Sequence, residues 1–95
     1  MIDRVQVDPP RRDDGGFRCT VRIGGRSHDV GVSDRDLTEL AAGAPPEELV
    51  RESFSFLLER EPPQSILSTF DLTVISRYFP EYRGEIAKRM QRHRA

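Results

Sequence analysis

The sequence predicts an α+β domain in which a three-stranded antiparallel meander leads to a central helix and then to a cluster of short helices. Three observations carry that reading. Apolar and polar residues alternate through 17–23 and again through 28–32, the period of a half-buried strand. Gly24-Gly25 between them supplies the conformational freedom that a two-residue hairpin loop needs. From Ser33 onward the apolar spacing changes from two to three and four, and prolines at 45, 46, 62, 63 and 80 cut the remainder into short helical lengths.

A chain of 95 residues makes one domain, with the sheet in 1–32, the helical part in 33–92 and a basic C-terminal tail over 83–95. That size supports a single core and leaves little room for a deep substrate cavity beside it. Acids and bases nearly cancel at a formal net charge of -1, so overall charge favours no class of ligand. The distribution is uneven: 34–61 holds eight acids and three bases, whereas 83–95 holds five bases and one acid. The lone Cys19 excludes an intramolecular disulfide, and no apolar run reaches the length of a membrane span. A cytoplasmic protein without membrane contact is expected. Arginine outnumbers lysine fourteen to one, a coding bias that carries no information about anionic ligands.

Taken in order, residues 2–7 form a strand with Val5 and Val7 on one face and Arg4 and Gln6 on the other, ended by Pro9 and Pro10. Residues 11–16, RRDDGG, hold nothing apolar and read as a mobile loop. If Gly24 and Gly25 are the two loop residues of the hairpin, Val21 faces His28, Cys19 faces Val30 and Phe17 faces Val32, so the apolar sets coincide. Asp29 then lies among Arg18, Thr20 and Arg22 on the other face. Ser33 caps a short helix carrying Leu37, Leu40 and Ala41, and Gly43 ends it.

The central helix, 46–60, reads PEELVRESFSFLLER. Pro46 fits its first turn, and Glu47 and Glu48 suit its positive end. At 100° per residue, Leu49, Val50, Phe54, Phe56, Leu57 and Leu58 occupy an arc of roughly 200°, wider than the stripe one neighbour covers. The helix must therefore meet two surfaces, drawn from the sheet, the later helices or a second copy of the chain. After Pro62-Pro63, Ile66, Leu67 and Phe70 fall on one side of a short helix. Asp71 is a candidate N-cap for another over 72–79, with Leu72, Ile75, Tyr78 and Phe79 turned inward. The last helix, 81–92, is polar except for Tyr82, Ile86 and Met90 at every fourth position.

Two words, SFSFLLEREPPQSIL over 53–67 and FDLTVISRYFPEY over 70–82, resemble the shared ending of a set of small uncharacterised prokaryotic proteins. In that pattern a variable β-rich beginning leads to a helix ending in Leu-Leu-Glu-Arg-Glu-Pro. The resemblance implies this architecture and no activity. The order of three strands followed by a helix is also similar to that of HicB-type antitoxins, a likeness of fold alone, because none of their motifs is present.

Few residues suggest chemistry. The predicted register makes Cys19 and His28 diagonal neighbours, the arrangement by which an imidazole activates a thiol, although a small buried thiol is the commoner use of cysteine. One Cys and two separated His residues give no recognised metal-ligand spacing, and no cofactor is implied. Glu47, Glu48, Glu59 and Glu61 read as solvated helix surface and helix end. Neither glycine pair opens a helix as a phosphate loop does.

A non-enzymatic interaction module is the function expected, working through a protein partner or as a homodimer. Its interface candidates are Leu49, Val50, Phe54, Phe56, Leu57 and Leu58 on the central helix with Tyr78, Phe79 and Tyr82 around Pro80. The alternative is an antitoxin-like nucleic-acid-binding regulator using Arg83, Lys88, Arg89, Arg92 and Arg94. A third reading is a thiol-dependent activity at Cys19 and His28.

Overall fold

The long hairpin organises the sheet. Gly16–Ile23 (β3) and Arg26–Ser33 (β4) pair antiparallel, with Val21 opposite His28, Cys19 opposite Val30 and Phe17 opposite Val32. Gly24 takes a φ of 58° in the turn between them, a conformation closed to most side chains. The computed structural model describes residues 5–94, with side chains to residue 92. Ile2 and Arg4 of the expected first strand, and the side chains of His93 and Arg94, lie outside the described residues.

Two short strands share the outer edge of β3. Val5–Val7 (β1) pairs Val5 with Ile23 and Val7 with Val21, and Arg11–Asp13 (β2) pairs Arg11 with Arg18 and Asp13 with Gly16. Residues 8–10 thus stand against only residues 19–20, which is a bulge, and it falls where Pro9 and Pro10 have no N–H to give the ladder. The expected loop over 11–16 is therefore corrected to a strand and a tight turn, with Gly15 at φ 73°. β2 is held by polar contacts. Arg12 donates two hydrogen bonds to Asp34, at 2.8 and 2.9 Å, and its guanidinium lies over the Phe17 ring at 5.0 Å.

Helix Asp34–Leu40 (α1) starts where Ser33 Oγ accepts the Asp36 backbone N–H at 3.0 Å. Helix Pro46–Leu58 (α2) follows after a reversal through Ala42 and Gly43, both at positive φ. Beyond Pro62 the chain makes a single 3₁₀ turn, Pro63–Ser65, and then runs extended into Thr69–Asp71 (β5), which pairs parallel with β4. The expected short helix through Ile66, Leu67 and Phe70 is corrected accordingly, and the sheet order is β1-β3-β4-β5 with β2 beside β3. A second 3₁₀ turn, Leu72–Val74, and one α-helical turn, Ile75–Tyr78 (α3), replace the expected continuous helix over 72–79. Asp71 makes no side-chain cap there, and its carboxylate accepts from Arg18 at 3.4 Å. The chain closes with Tyr82–Arg94 (α4).

α2 lies between two layers, as its wide apolar arc requires. Toward the sheet, Phe54 meets His28 and Phe70, with ring centroids 5.6 and 6.0 Å away. Toward α4, Phe56 meets Phe79 and Tyr82 edge-on, and Ser53 Oγ is 2.7 Å from the Tyr82 hydroxyl. Tyr82, Ile86 and Met90 are fully buried. Burying an aromatic of this kind is worth roughly 2–3 kcal/mol, so both faces of α2 contribute to cohesion.

Candidate interaction surface

The residues of the thiol reading sit in the core. Cys19 is fully buried, and burial pushes its thiol up to about 11, away from the thiolate that nucleophilic chemistry uses. His28 is equally inaccessible. Its Nδ1 contacts the Leu67 carbonyl at 2.7 Å, and its Nε2 has no hydrogen-bond partner among the described residues, Cys19 included. The pair therefore lacks the contact a dyad needs. Among the described residues no group of three or more His, Cys, Asp or Glu side chains converges as metal ligands would.

The basic residues divide into two sets. Arg83 donates to Asp36 at 3.1 Å and also to Glu39, and Arg89 donates to Glu59 at 2.7 Å and to Glu85 at 3.0 Å. These guanidiniums tie α4 to α1 and to the end of α2. Lys88 and Arg92 are exposed, and the side chain of Arg94 lies outside the described residues. On the sheet, Arg18 is engaged by Asp29 and Asp71, and Arg22 by Asp8. Four of these cations, Arg18, Arg22, Arg83 and Arg89, are thus matched within the chain.

Of the interface candidates on α2, Leu49, Val50, Phe54, Phe56 and Leu57 are buried inside the chain and Leu58 is half-buried. Tyr82 is in the core, and Phe79 is partly covered. The arc that suggested an interface is closed by the sheet and α4. Tyr78, expected to face inward, is 66% exposed. The open apolar surface therefore lies beyond the far end of α2.

There the chain builds a groove of about 180 Å³. Its floor is Leu57 of α2, Ile66, Phe70 of β5 and Ile75 of α3, all buried. Leu67, 48% exposed, and Tyr78 stand at its rim, and Glu61 supplies a carboxylate. The groove exists because Pro62 and Pro63 stop α2, after which a 3₁₀ turn, a three-residue strand and one helical turn are each too short to fill the space they enclose. One wall is fixed by the hydrogen bond from His28 to the Leu67 carbonyl. A small-molecule site commonly occupies roughly 300–1,000 Å³, and this groove is smaller.

Glu61 is the one carboxylate lining the groove. Burial raises its carboxyl above the ordinary range, and among the described residues no cation lies against it. Its neighbours differ: Glu59 is held by Arg89 and Arg60, and Glu81 by Arg60. Sequence reasoning passed over Glu61 as a charged helix end and Leu67 as an inward helical position. No local pattern marks either, since the groove arises from segments distant along the chain. Comparison with protein families, with curated proteins and with solved structures finds no match to this chain. Among the described residues no helix is long and apolar enough to cross a membrane.

Proposed function

We propose that this chain is a non-enzymatic protein-interaction module whose docking face is the groove beyond α2. The observation that carries the reading is the pairing of a buried apolar floor with two large apolar side chains left open at its rim, Leu67 and Tyr78. Isolated exposed apolar residues are ordinary, but a concave patch of them beside a preformed pocket is what interface anchors fill. The absence of an activated thiol at Cys19 and the internal pairing of Arg83 and Arg89 weigh against the enzymatic and nucleic-acid readings. Every residue lining the groove falls within the two words that resemble the small prokaryotic group, so a docking role would belong to their common part.

Site-specific photo-crosslinking in cells tests this. A benzophenone side chain at position 78 is expected to capture a discrete protein partner, whereas the same group at the exposed Arg35 position is not. Identical products from both positions, or none from position 78, would defeat the proposal. A product consisting of two copies of the chain would redirect it to self-association.

A further inference from the structure

We propose that the occupant of the groove is a peptide segment of a partner protein that presents a bulky apolar side chain next to a lysine or arginine, the apolar group covering the floor and the cation meeting Glu61. The inference rests on the groove being a docking site and adds the chemistry of what docks.

Size, polarity and charge each restrict the occupant. About 180 Å³ admits one or two side chains, and the floor of Leu57, Ile66, Phe70 and Ile75 is apolar, the polar side chains of the lining being those of Glu61, Ser65 and Tyr78. The single charge is acidic. Nearby arginine does not neutralise it: Arg60, one residue before Glu61, is folded back, with its guanidinium 3.6 Å from the Phe56 ring centroid and bonded to the Phe56 carbonyl, Glu59 and Glu81. Arg89 is likewise committed to Glu59 and Glu85. A carboxylate held in a partly desolvated place without a counterion is destabilising by itself. An incoming cation compensates it there, and a cation already carried beside an apolar anchor does so without a separate binding event. An acidic segment would meet repulsion at the same point, so Glu61 also serves to reject.

The test is a selection of random displayed peptides against the folded chain, followed by fluorescence anisotropy with the peptides recovered. Recovered peptides are expected to share an aromatic or aliphatic residue adjacent to lysine or arginine. Glu61→Gln is expected to weaken them about tenfold, and Glu61→Lys to select peptides bearing acids instead. Joint replacement Leu67→Ser with Tyr78→Ser should abolish binding, with circular dichroism verifying that each variant is folded. Peptides that need Leu67 and Tyr78 but bind equally to wild type and Glu61→Gln would overturn the charge inference while leaving the docking site intact. Peptides indifferent to Leu67 and Tyr78, or failure to recover any peptide, would overturn both. A concentration-dependent dimer that Tyr78→Ser dissociates would assign the groove to a second copy and overturn the partner segment.

Discussion

Cys19 illustrates how a residue's neighbours decide its chemistry. The hairpin register puts it against Val30, in a layer where Val21, Ile23, His28 and Val32 are also buried, and the thiol is stabilised in its protonated form. The folded value is raised above the unfolded one, so the contribution to stability is complete below the ordinary thiol value and is lost as pH climbs from about 9 toward about 11. A thiol reagent such as dithiobisnitrobenzoate is expected to label Cys19 no faster than the chain opens, and labelling should accelerate in urea in step with unfolding. Rapid stoichiometric labelling at neutral pH would contradict the burial. His28 works at the same scale in a different way. It is a core residue whose Nδ1 positions the Leu67 carbonyl, and that partner could not be found from the hairpin that contains it.

At the scale of elements, two glycines of the hairpin have unequal roles. A Cβ on Gly16 would run into the backbone of Val32 and Ser33, which cannot move without breaking the ladder. A Cβ on Gly31 would meet the ends of the Asp71 and Arg18 side chains, which can swing aside and lose their ion pair. Gly16→Ala is therefore expected to destabilise by about 2–4 kcal/mol and Gly31→Ala by about 1 kcal/mol, measured by urea unfolding. The reverse order would mean that the Arg18–Asp71 contact matters more than the ladder.

The same elements show how far the fold was legible. β3 and β4 were, because Gly24-Gly25 sets the loop length and the register it fixes puts Phe17 and Cys19 opposite Val32 and Val30, with Val21 opposite His28. The two-sided burial of α2 was legible from the width of its arc. β2 was not, since Arg11, Arg12 and Asp13 are all exposed and are held by hydrogen bonds and ion pairs that leave no hydrophobic period. β5 was not, because Thr69, Phe70 and Asp71 make too short an alternation to separate strand from helix. Tyr78 was placed on the wrong side because the segment is not one continuous helix: α3 is a single turn, and Leu72 and Ile75 are buried while Tyr78, its last residue, stands exposed. Of the groove, Leu57, Tyr78 and Phe79 were among the expected interface candidates; Glu61 and Leu67 emerge only from the tertiary arrangement.

Across the whole molecule, paired and unpaired carboxylates set opposing responses to pH. Arg12 holds the Asp34 carboxyl below the ordinary range, Arg35 that of Glu39, and Arg89 that of Glu59. Glu81 is lowered by its own backbone N–H and then by Arg60. With folded values depressed, these groups support the fold above the unfolded carboxylate value, about 4.3, and that support is lost as pH falls through the folded values. Glu61 has the opposite sign. Its folded value is raised, so its contribution is favourable below the unfolded value and is lost as pH rises through the folded one. Glu61→Gln is accordingly expected to be more stable than wild type in urea at neutral pH, with the difference vanishing as pH approaches about 4. A variant less stable at neutral pH would show that Glu61 has a compensating partner in solution.

The parallel pairing of β5 with β4 has a consequence for assembly. Antiparallel neighbours in the hairpin meet across two residues, but Asp29 and Thr69 are joined only after the whole crossover containing α1 and α2 has been traversed. Loop-closure entropy places such a long-range contact late in the ordering of the chain. The groove whose floor includes Phe70 is thus completed late, and under the proposed docking role an occupant would recognise finished molecules over nascent ones and by mass action hold the final segment in place.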